Sequence, residues 1–199
     1  MTIKFKPDYA EAHYNLGIAL LAEQKTEEAI SQYKMAIKLM PDYAIAHNNL
    51  GEALFTEQKI EEAISHYKMA IKLNPDFAIT HYNLGIALRR EGRNSEAISH
   101  YKMAIKLNPD FADAHNNLGA ALVAERKIEE AISHLKMAIG LKPDFAEAYN
   151  NLGIALVADG KNEEAISHYK MAIKINPDYA EAYNNLRSEE RRVGKECAD

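Results

Sequence analysis

The stretch "PDYAEAHYNLGIAL", residues 7–20, decides how the rest of the chain is read, because it keeps returning. "PDYAIAHNNLGEAL" begins at Pro41, "PDFAITHYNLGIAL" at Pro75, "PDFADAHNNLGAAL" at Pro109 and "PDFAEAYNNLGIAL" at Pro143, and another copy opens at Pro177. The prolines step by 34 residues with no insertion or deletion. Such self-similarity marks one supersecondary unit copied head to tail.

Within a unit, Leu16, Ala19 and Leu20 fall at i, i+3 and i+4, and Ala29, Ile30, Tyr33, Ala36 and Ile37 follow the same period. Both runs therefore read as amphipathic helices. The turn between them carries Gly92 and Gly160 in two copies, where a helix C-terminus favours a residue able to adopt positive φ. Thr26, Asn94 and Asn162 are expected to N-cap the second helix, and Asp8, Asp42, Asp76, Asp110, Asp144 and Asp178 the first. Pro41 and its equivalents stop the second helix, so each unit is a helical hairpin.

The spacing His13-x2-Leu16-Gly17-x2-Leu20, then Ala29-x3-Tyr33, then Pro41, resembles the tetratricopeptide repeat (TPR) signature. It recurs through Leu50-Gly51, Leu84-Gly85, Leu118-Gly119 and Leu152-Gly153. Two positions depart from the pattern: the first aromatic is His in four copies and Tyr149 in the fifth, and the second is Leu20 and its equivalents. The resemblance implies an all-α fold, a right-handed superhelical solenoid of stacked helix-turn-helix units, with first helices on the concave face. The expected repeats are 10–43, 44–77, 78–111, 112–145 and 146–179. Each buries its apolar stripe only against its neighbours. Gly17 and its copies are expected to let two helices approach closely.

The ends depart from the pattern. "MTIKFKPD" aligns with "MAIKLMPD" at Met35, so residues 1–9 read as the end of a preceding repeat. Residues 180–186 open a sixth unit, whose Gly-x-Ala-Leu is replaced by "RSEERRVGKEC". Residues 187–197 resemble a translated sequencing adapter, so 187–199 are set apart as a non-native tail, the alternative being a genuine charged, disordered tail. Ile166, Tyr169 and Ile173 are then expected to lie partly uncovered, and uncapped terminal repeats to favour self-association.

Charge and composition narrow the function. A net charge of -5, with acids and bases interspersed, argues against nucleic acid as a partner, since binding phosphates takes clustered Lys and Arg. The longest apolar runs, such as residues 18–22, are far too short to span a bilayer, so no membrane insertion is expected. No secretory apolar segment follows Met1; the compartment is left open, with the cytoplasm as the first expectation. The lone Cys197 excludes an internal disulfide.

Histidines form two registers, His13, His47, His81 and His115 on first helices and His66, His100, His134 and His168 on second helices. Equivalent residues of stacked units sit about 10 Å apart, too far to share a metal. The first register is expected to pack and the second to be solvated. No metal, cofactor or catalytic residue is expected, and the chain reads as a non-enzyme.

The binding candidates are the asparagines before each Leu-Gly: Asn15, Asn49, Asn83, Asn117, Asn151 and Asn185. A side-chain amide offers two donors and an acceptor, which matches a peptide backbone. The ladder resembles that of O-linked N-acetylglucosamine transferases. Tyr14 and Tyr82, in the variable register 14, 48, 82, 116 and 150, and Arg89, one of a pair with Arg90, are the candidates for selectivity. The expected function is a protein-protein interaction scaffold holding an extended peptide or protein segment in the groove. The alternative is the substrate-recognition arm of a larger enzyme such as a glycosyltransferase. The same amides could instead tie neighbouring repeats together.

Overall fold

The computed structural model describes residues 9–196; residues 1–8, where the end of an earlier repeat is expected, lie outside them, as does Cys197. The described residues form eleven α-helices and no strand: α1 (Ala10–Ala22), α2 (Thr26–Leu39), α3 (Ala44–Thr56), α4 (Ile60–Leu73), α5 (Ala78–Arg90), α6 (Asn94–Leu107), α7 (Ala112–Ala124), α8 (Ile128–Leu141), α9 (Ala146–Ala158), α10 (Asn162–Ile175) and α11 (Ala180–Glu196). The chain divides into two units, residues 1–92 and 93–199.

The first unit holds α1–α5. Helices α1 and α2 form one hairpin and α3 and α4 the next, with α2 against α3 and α4 against α5. The second unit holds α6–α11, in which α7/α8 and α9/α10 are hairpins, α6 packs on α7, α8 on α9 and α11 on α10. First helices also touch one another: α3 meets α5, α7 meets α9 and α9 meets α11.

The core runs through the seams between repeats. In the second unit Leu135 of α8 joins Leu152, Ala155 and Leu156 of α9 and Ala165 and Tyr169 of α10 in one buried cluster, flanked by Leu186 of α11. Each fully buried leucine contributes about 2 kcal/mol relative to exposure. The repeats are thus held by their neighbours. At the first helix the same position lacks that cover: Leu16 is 47% exposed, whereas Leu50, Leu84 and Leu118 are fully buried.

The hairpins close on a glycine. A Cβ added to Gly51 would lie 2.7 Å from Cε1 of Tyr67, and one added to Gly119 would lie 2.5 Å from Cγ of Leu135. Gly17 and Gly153 face Tyr33 and Tyr169 in the same way. A side chain there would force the two helices apart.

The helix starts differ from the sequence expectation. Thr26, Asn94 and Asn162 are the first helical residues, and the N-cap positions before them are Lys25, Arg93 and Lys161. The first helices are capped by Tyr43, Phe77, Phe111 and Phe145, one residue after the expected aspartates, and none of these starts has a side-chain capping bond. Main-chain turns take that role. The amide of Ala44 donates to the Asp42 carbonyl at 2.9 Å, and the amide of Ala46 to the Tyr43 carbonyl at 3.0 Å. The expected left-handed residue does occur in the turn after each first helix. Gly92 and Gly160 have φ of 75° and 76°, and Gln24, Gln58 and Arg126 take the same region.

The change of sequence after Leu186 does not interrupt the backbone, and α11 continues to Glu196. Tyr169, expected to be partly uncovered, is buried, because α11 lies across α10 and carries Glu189 beside the tyrosine. Lys170 Nζ meets Glu190 Oε1 at 3.2 Å along the same contact. Ile166 and Ile173 remain half-buried.

Substituting Gly51→Ala or Gly119→Ala is expected to cost about 2 kcal/mol, as overpacked cores do. Gly140→Ala, where a Cβ meets nothing within 4 Å, is expected to stabilise by about 0.5–1 kcal/mol through helix propensity alone. Urea denaturation of the three variants measures this, and equal effects at the three sites would contradict the close-packing account.

Candidate functional site: the asparagine face of the first helices

The ladder asparagines stand on first helices, one per repeat, just before the buried Leu-Gly pair. Their neighbours set their environment: the leucine must face the preceding repeat, so the asparagine, 100° away around the helix, lies at the edge of that seam. Asn49, Asn83, Asn117 and Asn151 are half-buried there, and Asn15 is exposed.

Four of the amides reach back to the preceding repeat. Asn49 Nδ2 donates to Tyr14 Oη at 3.1 Å, Asn83 Nδ2 to Asn48 Oδ1 at 3.4 Å, Asn151 Nδ2 to Asn116 Oδ1 at 2.9 Å and Asn185 Nδ2 to Asn150 Oδ1 at 3.0 Å. All four bonds span 35 residues. The residue that precedes one ladder asparagine is therefore the acceptor for the next.

That explains the variable register. Tyr14, Asn48, Asn116 and Asn150 are buried rather than presented, and Tyr82 is half-buried. Burial raises the pKa of the Tyr14 hydroxyl, which stays protonated while it accepts from Asn49. Asn48 Oδ1 also receives the Thr80 hydroxyl at 3.0 Å, and Asn48 Nδ2 donates to Asn49 Oδ1 at 3.1 Å. In the second unit a carboxylate joins the relay: Asn116 Nδ2 donates to Glu147 Oε1 at 3.1 Å and Asn150 Nδ2 to Glu181 Oε1 at 3.3 Å. Buried amides need such partners, since an unmet one costs about 1–3 kcal/mol.

The two arginines of the third repeat divide in role. Arg90 lies over the Phe55 ring at 5.2 Å from its centroid and donates to Gln58 Oε1, both in the preceding repeat. Arg89 is exposed. One turn before two of the ladder residues, Ile45 and Ile79 are each 37% exposed. The first unit thus presents an apolar side chain beside each of Asn49 and Asn83, where the second unit has Asp113 and Glu147.

The two histidine registers meet, which the spacing of equivalent residues did not show. His47 and His66 approach with Nδ1 atoms 3.0 Å apart, and His115 and His134 with theirs 2.9 Å apart. The second register is therefore half-buried rather than solvated, and His66 and His134 in it are bonded. The available signal was the 19-residue step between them, which places both rings across one hairpin. No cluster of three or more metal-ligating side chains is found among the described residues.

Comparison with known families now adds to this geometry. A model described as TPR repeat matches residues 19–58, 51–90, 87–125, 121–160 and 155–186. The chain belongs to the TPR repeat family. Comparison with curated proteins found no match. Among solved structures the TPR chain is similar to YrrB, titled a TPR protein with an unusual peptide-binding site, at 23% identity and TM-score 0.79, covering 92% of this chain and 94% of that one. It is similar to MamA at 27% identity and TM-score 0.75, covering 82% and 96%. The first TPR of Spaghetti (RPAP3), bound to HSP90 peptide SRMEEVD, aligns at 26% identity and TM-score 0.57, covering 59% of this chain and 93% of that one. No helix among the described residues is long and apolar enough to cross a membrane.

Asn116→Ala and Asn151→Ala are each expected to cost about 1–2 kcal/mol, because each leaves its partner's polar atom unmet in a buried seam. The double variant should cost less than their sum, with a coupling of about 1 kcal/mol in a double-mutant cycle. Strict additivity would show that the amide relay does not join the repeats.

Proposed function

We propose that this TPR chain is a non-catalytic scaffold that holds an extended peptide or protein segment along the face of its first helices. The observation that carries the reading is the row of ladder amides on the first helices, in which Asn49, Asn83, Asn151 and Asn185 are each half-buried and anchored by one N–H to the repeat before. An anchored amide loses little conformational freedom when it meets a ligand, and its second N–H and carbonyl lone pairs match a peptide backbone. Ile45 and Ile79 supply apolar contacts beside Asn49 and Asn83, and Arg89 a cation at the end of α5. TPR proteins commonly bind proteins or peptides, and the similar first TPR of Spaghetti is bound to an HSP90 peptide. The ligand groups on this reading are Asn15, Asn49, Asn83, Asn117, Asn151 and Arg89, with Tyr82 at the edge; Tyr14 acts through Asn49. The narrower likeness to glycosyltransferase repeats rests on the ladder alone.

A peptide library displayed against the intact chain should yield saturable binders. For one of them, Asn49→Ala with Asn83→Ala should weaken binding by roughly tenfold or more, about 1.4 kcal/mol, with helicity retained by circular dichroism. A library with no saturable binder, or binders indifferent to both substitutions, would overturn the reading.

Exposed Leu16 and Ile18 also give α1 an apolar strip that favours association between copies. Sedimentation should show concentration-dependent mass that Leu16→Glu removes. A monomer at every concentration would rule this out.

A further inference from the structure

The paired histidines lie away from the amide relay and take no part in the proposed binding. They close the hairpins of two repeats. In the second repeat His47 Nε2 lies 3.1 Å from the carbonyl oxygen of Pro41, which can only accept, so Nε2 carries the proton and Nδ1 is bare. Nδ1 of His66, 3.0 Å from it, must then be the N–H that donates. The fourth repeat repeats the arrangement. His115 Nε2 donates to the Pro109 carbonyl at 3.1 Å, and its bare Nδ1 accepts from His134 Nδ1 at 2.9 Å. The rings are stacked at a tilt, with centroids 5.3 Å and 5.1 Å apart.

One proton can be added to such a pair at the bare Nε2 of the second ring with the Nδ1 bond intact. A second proton has to enter between the rings, where two N–H groups would face each other at about 3 Å. The first repeat shows the alternative partner. There Gln32 replaces the second histidine, and its Oε1 lies 2.7 Å from His13 Nδ1. A glutamine amide can turn to accept or to donate, so it tolerates either charge state of the histidine.

We propose that the histidine pairs are proton-sensitive latches: neutral or carrying one added proton, a pair locks the two helices of its repeat together, and the second proton taken up on acidification releases it and loosens the array. The surrounding charges are mixed. His66 faces Lys34 of α2 and His47 of α3, which oppose its protonation, and Glu62 on its own helix, which favours it. His134 faces Lys102 of α6 and His115 of α7 against Glu130 on its own helix. Burial, the largest influence on His66, His115 and His134, lowers the pKa of each. A lowered value in the folded chain means that the unfolded chain takes up more protons. The stability that the latches contribute is then complete above about pH 6.5 and is lost as pH falls through the lowered values.

The test compares the full chain with its His66→Gln/His134→Gln variant, which gives the second and fourth repeats the partner found in the first. Urea midpoints are measured at about pH 8 and about pH 5.5. Carboxylates other than Glu130, which lies beside His134, titrate alike in both proteins, so the latches predict that the variant matches the parent at the higher pH and loses roughly half as much, or less, on acidification. Equal losses would overturn the proposal. Histidine nitrogen NMR of the parent chain decides independently of the variant's folding. At about pH 8 the expected tautomers are Nε2–H for His47 and His115 and Nδ1–H for His66 and His134. Nε2–H at all four would mean that no bond joins the rings, and the latch would be excluded.

Discussion

A helix backbone pressed against a tyrosine ring or a leucine on the next helix sets the geometry of these hairpins. At Gly17, Gly51, Gly119 and Gly153 there is no room for even a methyl group, so the two helices of a repeat meet at one fixed distance and rotation. The cost of glycine in a helix interior, about 1 kcal/mol, is offset by the packing that the approach allows. Once that contact is set, residues 19 apart face each other across the hairpin, which is where the histidine pairs form. The stripe left over can be buried only by the next repeat, and that brings residues 35 apart within hydrogen-bond reach.

The polar contacts therefore follow from the apolar ones and not the reverse. Exposed ion pairs such as Lys102–Glu130, 2.6 Å apart between second helices, contribute at most about 1 kcal/mol each. The amide relay is different, because Asn48, Asn116 and Asn150 are buried and an unpaired amide there would be costly. The relay makes the spacing between repeats a matter of hydrogen-bond geometry as well as packing. A ligand laid along the first helices would meet amides already held in place.

The 34-residue period, the helical hairpin, the glycine contact and the left-handed residue in the turn were all legible in the sequence, since each depends on neighbours close along the chain. The helix starts were misplaced by one residue. Thr26, Asn94 and Asn162 have the chemistry of caps, but the chain enters the helix one step earlier, and main-chain turns meet its first amides. Tyr14 looked like a ligand-facing residue because its register varies. Its burial, and its role as acceptor for Asn49, depend on a helix 35 residues away.

By itself the sequence determined the repeat, the all-α class and the row of asparagines, because periodicity places side chains on one helix face without reference to anything else. Only the tertiary structure decided what those side chains touch. Two histidine registers that never coincide along the chain are brought together by the hairpin, and an amide facing the seam becomes a tie between repeats. Direction around a helix is a local property, whereas a hydrogen bond of 3 Å requires two helices to be placed to within a fraction of an ångström, and packing alone supplies that.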